Sequence, residues 1–322
     1  MYINAASTIS HQPTFRNAGF SKDIKPLEKS SEIISPNYKD FIDAGLLRRM
    51  SKILRMSVTA AKDCLSQANI EQPGAIIAGT GLGCLQDTEK FLNTSLTIEG
   101  LLPPTSFIQS THNTIAGQIS LSIGNHGYNM THTQNTLSFE HALIDTSLLL
   151  NEGKDYILTG AADEFIPFLD VAAGQLFPGS APTLTSAASF FLFSNMKTDS
   201  SVAQVRDVTT VGLVQDIDAG IDSFLSDSFL NVSELDLVLY SDITAAGSLD
   251  SVAHQYFNGH YHTQSKLIDY TTLSGLYPTN SAFAMHYAVD RIQDNKEIKR
   301  VLILNRLNKI NLGLTLIESL EA

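Results

Sequence analysis

The sequence predicts a mixed α/β fold with covered sheets, and three observations carry that expectation. Short apolar runs bounded by glycine alternate with longer segments whose apolar residues recur every three or four positions. The short runs are apolar throughout rather than alternating, as strands buried on both faces should be. Hydrophobic residues make up 43% of the 322 positions and charged residues only 17%, which suits a chain with much buried surface.

Taken in order, residues 1–40 mix short apolar pieces with Pro, Ser and Lys and read as a strand followed by loop. From Phe41 to Ala68 the spacing of Leu46, Leu47, Met50, Ile53, Leu54, Val58, Ala61 and Leu65 predicts helix. Gly74–Gly79 reads as a buried strand running into a glycine turn, with helix from Asp87 to Asn93. A further helix is expected over 105–124, ending at Gly124, then a turn and a strand from Tyr128 to Thr133. Phe139–Asn151 is helical, with Gly153 as its stop. Tyr156–Gly160 is a buried strand. Later strands are expected at 188–194, 202–213, 235–241, 300–304 and 312–317, with helices near 247–257 and 278–294.

Composition limits function as well. A net charge of −12 disfavours sequence-independent binding to nucleic acid or to an anionic membrane, both of which need clustered Lys and Arg. The local cluster Arg48, Arg49, Lys52 and Arg55 can still receive an acidic protein. Cys64 and Cys84 are too few for a disulfide framework and have no metal-ligand spacing. The first residues lack a basic then apolar leader, and no apolar run reaches membrane-spanning length, so a cytoplasmic protein is expected. Gly79-x-Gly-x-Gly83 reads as a tight turn, because its third glycine comes too early for a dinucleotide loop. His260-x-His262 has no partner ligand at sensible spacing and reads as loop. Neither a metal nor a cofactor is expected.

Several stretches, in order, resemble the β-ketoacyl-acyl carrier protein synthases, the condensing enzymes of the thiolase fold. These are Leu47–Ser51, Gly79–Gly83, Phe107–Asn113 with Ala116-Gly117, and Gly153–Gly160 followed by Asp163-Glu164. The resemblance spans roughly residues 45 to 317. It implies two related α/β halves in an αβαβα layering, residues 1–200 with the nucleophile region and 201–322 with the histidine region.

What the resemblance locates is then absent. In that family an acylated cysteine opens a buried helix, helped by backbone amides. It lies about nine residues after the glycine matched by Gly127 and about seventeen before the one matched by Gly153; both counts reach Thr136. A slip of one or two places gives Asn135 or Gln134, and no cysteine is near. Ser241 takes the place of the first catalytic histidine, Thr271 that of a lysine and Leu276 that of the second histidine. Asn305–Asn311 replaces a glycine-rich loop.

The resemblance therefore implies a non-catalytic, chain length factor-like subunit that pairs with an active ketosynthase and shapes acyl elongation on acyl carrier protein. A compact, cysteine-free chain is similar to synthase-like proteins of aryl polyene and flexirubin clusters. Phe107, Ile108, His112, Ile115, Gln134 and Phe139 are expected along the acyl tunnel or subunit seam, and Arg48, Arg49 and Arg55 at the carrier protein. Two other readings stay open. One is an acyl-transfer or thioesterase enzyme using Ser138 with His132 or His141; the other is a homodimeric acyl-binding protein.

Overall fold

The computed structural model describes residues 1–102, 104–176, 182–242, 251–259 and 266–322. The first half contains β1 (Tyr2–Ile9), α1 (Ala44–Leu47), α2 (Lys52–Gln67), β2 (Ala75–Gly79), α3 (Leu85–Thr97) and α4 (Pro104–Gln109). It continues through α5 (Thr114–Ile123), β3 (Tyr128–His132), α6 (Ser138–Asn151), β4 (Ile157–Asp163), α7 (Pro167–Leu176) and β5 (Ala187–Ser194). The second half contains β6 (Ala203–Gly212), α8 (Ile217–Asp227), β7 (Leu237–Asp242), α9 (Val252–Gly259) and β8 (Lys266–Asp269). It ends with α10 (Thr271–Ser274), α11 (Ser281–Asp294), β9 (Arg300–Arg306) and β10 (Asn311–Glu318).

The strand order β3-β2-β4-β5-β1-β6-β10-β9-β7-β8 contains an internal repeat. Read outward from the centre, β1-β5-β4-β2-β3 mirrors β6-β10-β9-β7-β8. The pairing senses match too: β2 is parallel to β3 and β4, as β7 is to β8 and β9. β5 is antiparallel to β4 and β1, as β10 is to β9 and β6. Only Tyr2–Gln204 and Ile3–Ala203 pair across the middle.

Five layers follow from which way each strand residue points. Ile157 and Ala161 of β4, with Val301 and Ile303 of β9, face a central layer made by α6 and α11. Leu158 and Ala162 face an outer layer of α2 and α5, while Leu302 and Leu304 face α8 and α9. A strand covered on both faces must be apolar at odd and even positions alike, which explains the unbroken apolar runs. The result is the αβαβα thiolase-type architecture.

The structure departs from the sequence expectation in several places. The single helix expected over 105–124 is two, α4 and α5. Thr111 Oγ1 and Thr114 Oγ1 both donate to Ile108 O, at 3.2 and 2.8 Å, and Ser110 Oγ donates to Phe107 O at 2.8 Å. Side-chain hydroxyls thus satisfy the last carbonyls of α4 and end it. The helical run from Phe41 breaks before Ser51, the residue preceding α2. α7, α8, α10 and β8 were not expected. Of the helix near 247–257, residues 247–250 lie outside the described residues, as do His260 and His262.

Gly160 sets the β4–β5 spacing, since a Cβ there would lie 2.3 Å from Phe190 and 2.4 Å from Ser189 O. Gly160→Ala is expected to destabilise the fold by about 1–3 kcal/mol through overpacking. Urea denaturation measures this, and a loss below about 0.5 kcal/mol would contradict the packing described.

Candidate functional site

β3 ends at His132, and a 3-10 turn (Asn135–Leu137) leads into α6. Asn135 takes the left-handed conformation with φ +56°, which Asn tolerates better than most residues. Ser138 Oγ donates to Asn135 O at 2.7 Å and lies 3.0 Å from Thr80 O. A Cβ on Gly79 would stand 2.6 Å from Ser138 O, and one on Gly81 2.4 Å from Pro278. Glycine there lets the turn after β2 press against both the elbow before α6 and the Tyr277–Pro278 loop of the other half.

Asp163, at the end of β4 and fully buried, ties these pieces together. Its carboxylate accepts from Thr80 Oγ1 (2.9 Å), Gly81 N (3.0 Å), Leu82 N (2.8 Å), Thr279 N (3.2 Å) and Thr279 Oγ1 (2.8 Å). Burial pushes its carboxyl up, and these donors oppose the push.

The residues expected at the catalytic positions converge only in part. Thr136 and Leu276 line one cavity of about 270 Å³ with Leu82, Glu164, Tyr277 and Leu307. Ser241 lies behind it at the end of β7, where its Oγ accepts from Tyr270 OH (2.8 Å) and donates to Asn305 Oδ1 (3.4 Å). Thr271 does not line the cavity; its Oγ1 and N both donate to Asp269 Oδ1 at the start of α10.

Asn305 is the hub that the sequence reading did not single out. Its Nδ2 donates to Thr136 O (2.7 Å) and Glu140 Oε1 (2.8 Å), and its Oδ1 accepts from Leu307 N (3.2 Å). Glu140 sits on α6, 1% exposed, with its carboxyl pushed up by burial against the Asn305 bond. Thr136, Asn305, Glu140, Ser241 and Tyr270 thus form one buried hydrogen-bonded chain. Glu140 and Asp145 are the two acids on the largely apolar stretch Ser138–Leu150, and spacing alone does not say which one enters the site.

None of these groups is a thiol or an imidazole. Cys84 is buried and its thiol is pushed far up by burial and nearby carboxylates; Cys64 is buried and raised as well. Neither supplies a thiolate. Ser138 is not paired with an imidazole. His132 Nε2 lies 2.9 Å from Asp145 Oδ2, and His141 Nε2 contacts Thr210 Oγ1 at 3.5 Å.

The expected seam residues separate into two groups. Phe107 and Ile108 are 57% and 60% exposed, and His112 and Gln134 are exposed too. Ile115 and Phe139 are core instead. Ile115 packs in the outer layer with α2, and Phe139 in the central layer against Phe191, ring centroids 5.7 Å apart. The apolar faces that carry them are filled by their own sheet and helix neighbours, so neither side chain reaches the surface. Arg48, Arg49 and Arg55 line a groove of about 720 Å³ with Lys52 and Lys90. None of the three pairs with a carboxylate among the described residues. No described helix is long and apolar enough to cross a membrane.

A five-layered fold with a tight elbow opening α6 beside the turn after β2 is that of the condensing-enzyme family. The family profile of the β-ketoacyl synthase N-terminal domain matches residues 26–203, and the chain belongs to that family. Among solved structures, the ishigamide ketosynthase/chain length factor superposes with a TM-score of 0.80 at 14% identity, covering 99% of both chains. A β-ketoacyl synthase from Burkholderia phymatum STM815 gives 0.75 at 11% identity, again over 99% of each. A ketosynthase in complex with its chain length factor from Xenorhabdus doucetiae gives 0.51 at 17%, covering 67% of this chain and 85% of that one. At these identities the likeness is one of fold. Comparison with curated proteins gives no match.

Glu164, 2% exposed at the cavity wall, has its carboxyl raised to about 7, by burial first, against a hydrogen bond from Gln86 N (2.9 Å). The native state therefore keeps a proton that the unfolded chain releases near pH 4.5. Stability from this group is full below that pH and drains as pH rises toward about 7, by about 3 kcal/mol. Glu164→Gln is expected to flatten that slope in denaturation curves taken from pH 4.5 to 8. An unchanged slope would show that Glu164 is not the group responsible.

Proposed function

We propose that this chain is a non-catalytic, chain length factor-like subunit that pairs with an active ketosynthase and shapes acyl elongation on acyl carrier protein. The observation that carries the reading is a buried network in which Asn305 joins the Thr136 carbonyl, Glu140 and Ser241, and Ser241 joins Tyr270, with no thiol or imidazole among them. A ketosynthase needs a nucleophile to take the acyl group and two imidazoles to decarboxylate malonate and hold the enolate. An amide, a hydroxyl and a leucine do neither.

The surface supports the same reading. Phe107, Ile108 and Leu121 expose large apolar side chains, Leu121 on the helix α5 that packs against the edge strand β3, which suits an obligate subunit interface. Phe107, Ile108, His112 and Gln134 are the side chains we assign to the seam and to the wall of the partner's acyl tunnel. The groove of Arg48, Arg49 and Arg55 gives an acidic carrier protein a cationic landing on an otherwise acidic chain. Similar folds include ketosynthase–chain length factor pairs and a ketosynthase in complex with an acyl-carrier protein. The pathway we assign is of the aryl polyene or flexirubin kind.

Co-expression with the ketosynthase encoded beside it is expected to yield a stable one-to-one complex by size and composition. The purified chain alone, given acyl thioester, is expected to gain no mass. Thr136→Cys alone is expected to restore no condensation, since Ser241 and Leu276 remain. An acyl adduct on the unmodified chain, or a monomer that ignores the ketosynthase, would overturn the proposal.

A further inference from the structure

A second cavity, of about 490 Å³, opens between β1, α2 and α11 and shares no lining residue with the first. Both halves build it, β1 and α2 from the first and α11 from the second. Asp290 lines it near the far end of α11, about 14 Å along that helix from Ser281. The volume is that of a small-molecule site.

Arg16 is the unusual group at the rim. It takes the left-handed conformation, φ +52°, which residues other than glycine rarely adopt and which recurs at ligand sites. Its guanidinium carbon lies 4.8 Å from the centre of the Phe41 ring, and its Nε donates to Oδ1 of the buried Asp63. Asp63 Oδ2 in turn accepts from Ser7 Oγ (2.7 Å) and Gln67 Nε2 (2.9 Å). The Arg16 head is thus held in one orientation, while its two Nη groups donate to nothing among the described residues. A planar fork fixed in this way matches a carboxylate.

The α11 side of the cavity is anionic and accepting. Asp290 is buried, accepts from Gly19 N (2.7 Å) and Ser21 N (2.9 Å), and has no cationic partner among the described residues. His286 packs against Phe20 with ring centres 4.9 Å apart, and its Nδ1 is buried without a hydrogen-bond partner. Burial pushes this imidazole down to about 4, so it is neutral near pH 7 and keeps one accepting nitrogen. Arg16 and Asp63 cancel, and Asp290 leaves the cavity with one negative charge. Ala5, Ala6, Ala18, Val202 and Val289 complete the lining with small apolar side chains.

We infer that this cavity binds a small aliphatic α-amino acid, with the carboxylate on the Arg16 fork, the ammonium on Asp290 and His286, and the side chain against the alanines and valines. A carboxylate alone would meet the unpaired charge of Asp290, and an amine alone would leave the fork unused. A zwitterion answers both. The inference does not depend on the pairing proposed above.

Isothermal titration calorimetry of the full chain near pH 7 tests it with three probes: L-valine, isovalerate, which lacks the ammonium, and isobutylamine, which lacks the carboxylate. L-Valine is expected to bind one to one with a dissociation constant below about 1 mM. Each analogue is expected to bind at least about tenfold more weakly, because a charge-assisted hydrogen bond is lost each time. Arg16→Met removes the fork and is expected to weaken L-valine at least about tenfold while leaving isobutylamine unchanged. No heat from L-valine up to about 10 mM, equal binding of the three probes, or full L-valine affinity in Arg16→Met overturns the inference. The three-probe comparison uses the natural chain and decides the matter even where the variant does not fold.

Discussion

Asp163 is the contact on which the arrangement around the site depends. A fully buried carboxylate is tolerable only when its oxygens are saturated, and here the donors come from two halves of the chain. Three belong to the turn after β2, and two belong to Thr279 just before α11. Removing any of them leaves charge in a low-dielectric interior, so the turn, the strand end and the second-half loop hold one another in register. The glycines at 79 and 81 permit the approach, and Asp163 fixes it.

That fixed geometry sets the shape of the site. The elbow at Asn135–Thr136 still sits where α6 meets the turn after β2, and the loop carrying Leu276 still closes one wall of the cavity. Asn305 reaches across from β9 to take both the elbow carbonyl and Glu140, and Tyr270 completes Ser241. Thr136 Oγ1 and Glu140 Oε2 keep no partner, so the network is satisfied only in part.

Much of this was legible in the sequence, for identifiable reasons. Strands covered on both faces give uniform apolar runs, so β2, β4 and β5 announced themselves, as did α6 through its helical spacing and the stop at Gly153, which has φ +88°. Counting from glycines pointed to Thr136, with Asn135 and Gln134 as neighbours, and the fold puts this stretch at the 3-10 turn before α6. The Glu140–Asn305 pair was not legible, since its members are 165 residues apart and meet only when the halves fold together. α7 was hidden because apolar residues lie around most of its surface and leave no period to read. The split between α4 and α5 depended on hydroxyls choosing backbone acceptors, which spacing does not reveal.

The repeat relating β1–β5 to β6–β10 adds a constraint on what such a chain can become. α6 and α11 are equivalent helices sharing one central layer, packed against both sets of strands. A change in one half is felt through that layer in the other, because interiors this tightly packed transmit strain. Asn305 of β9 joins the two halves at that layer, bonding both the elbow before α6 and Glu140 within α6.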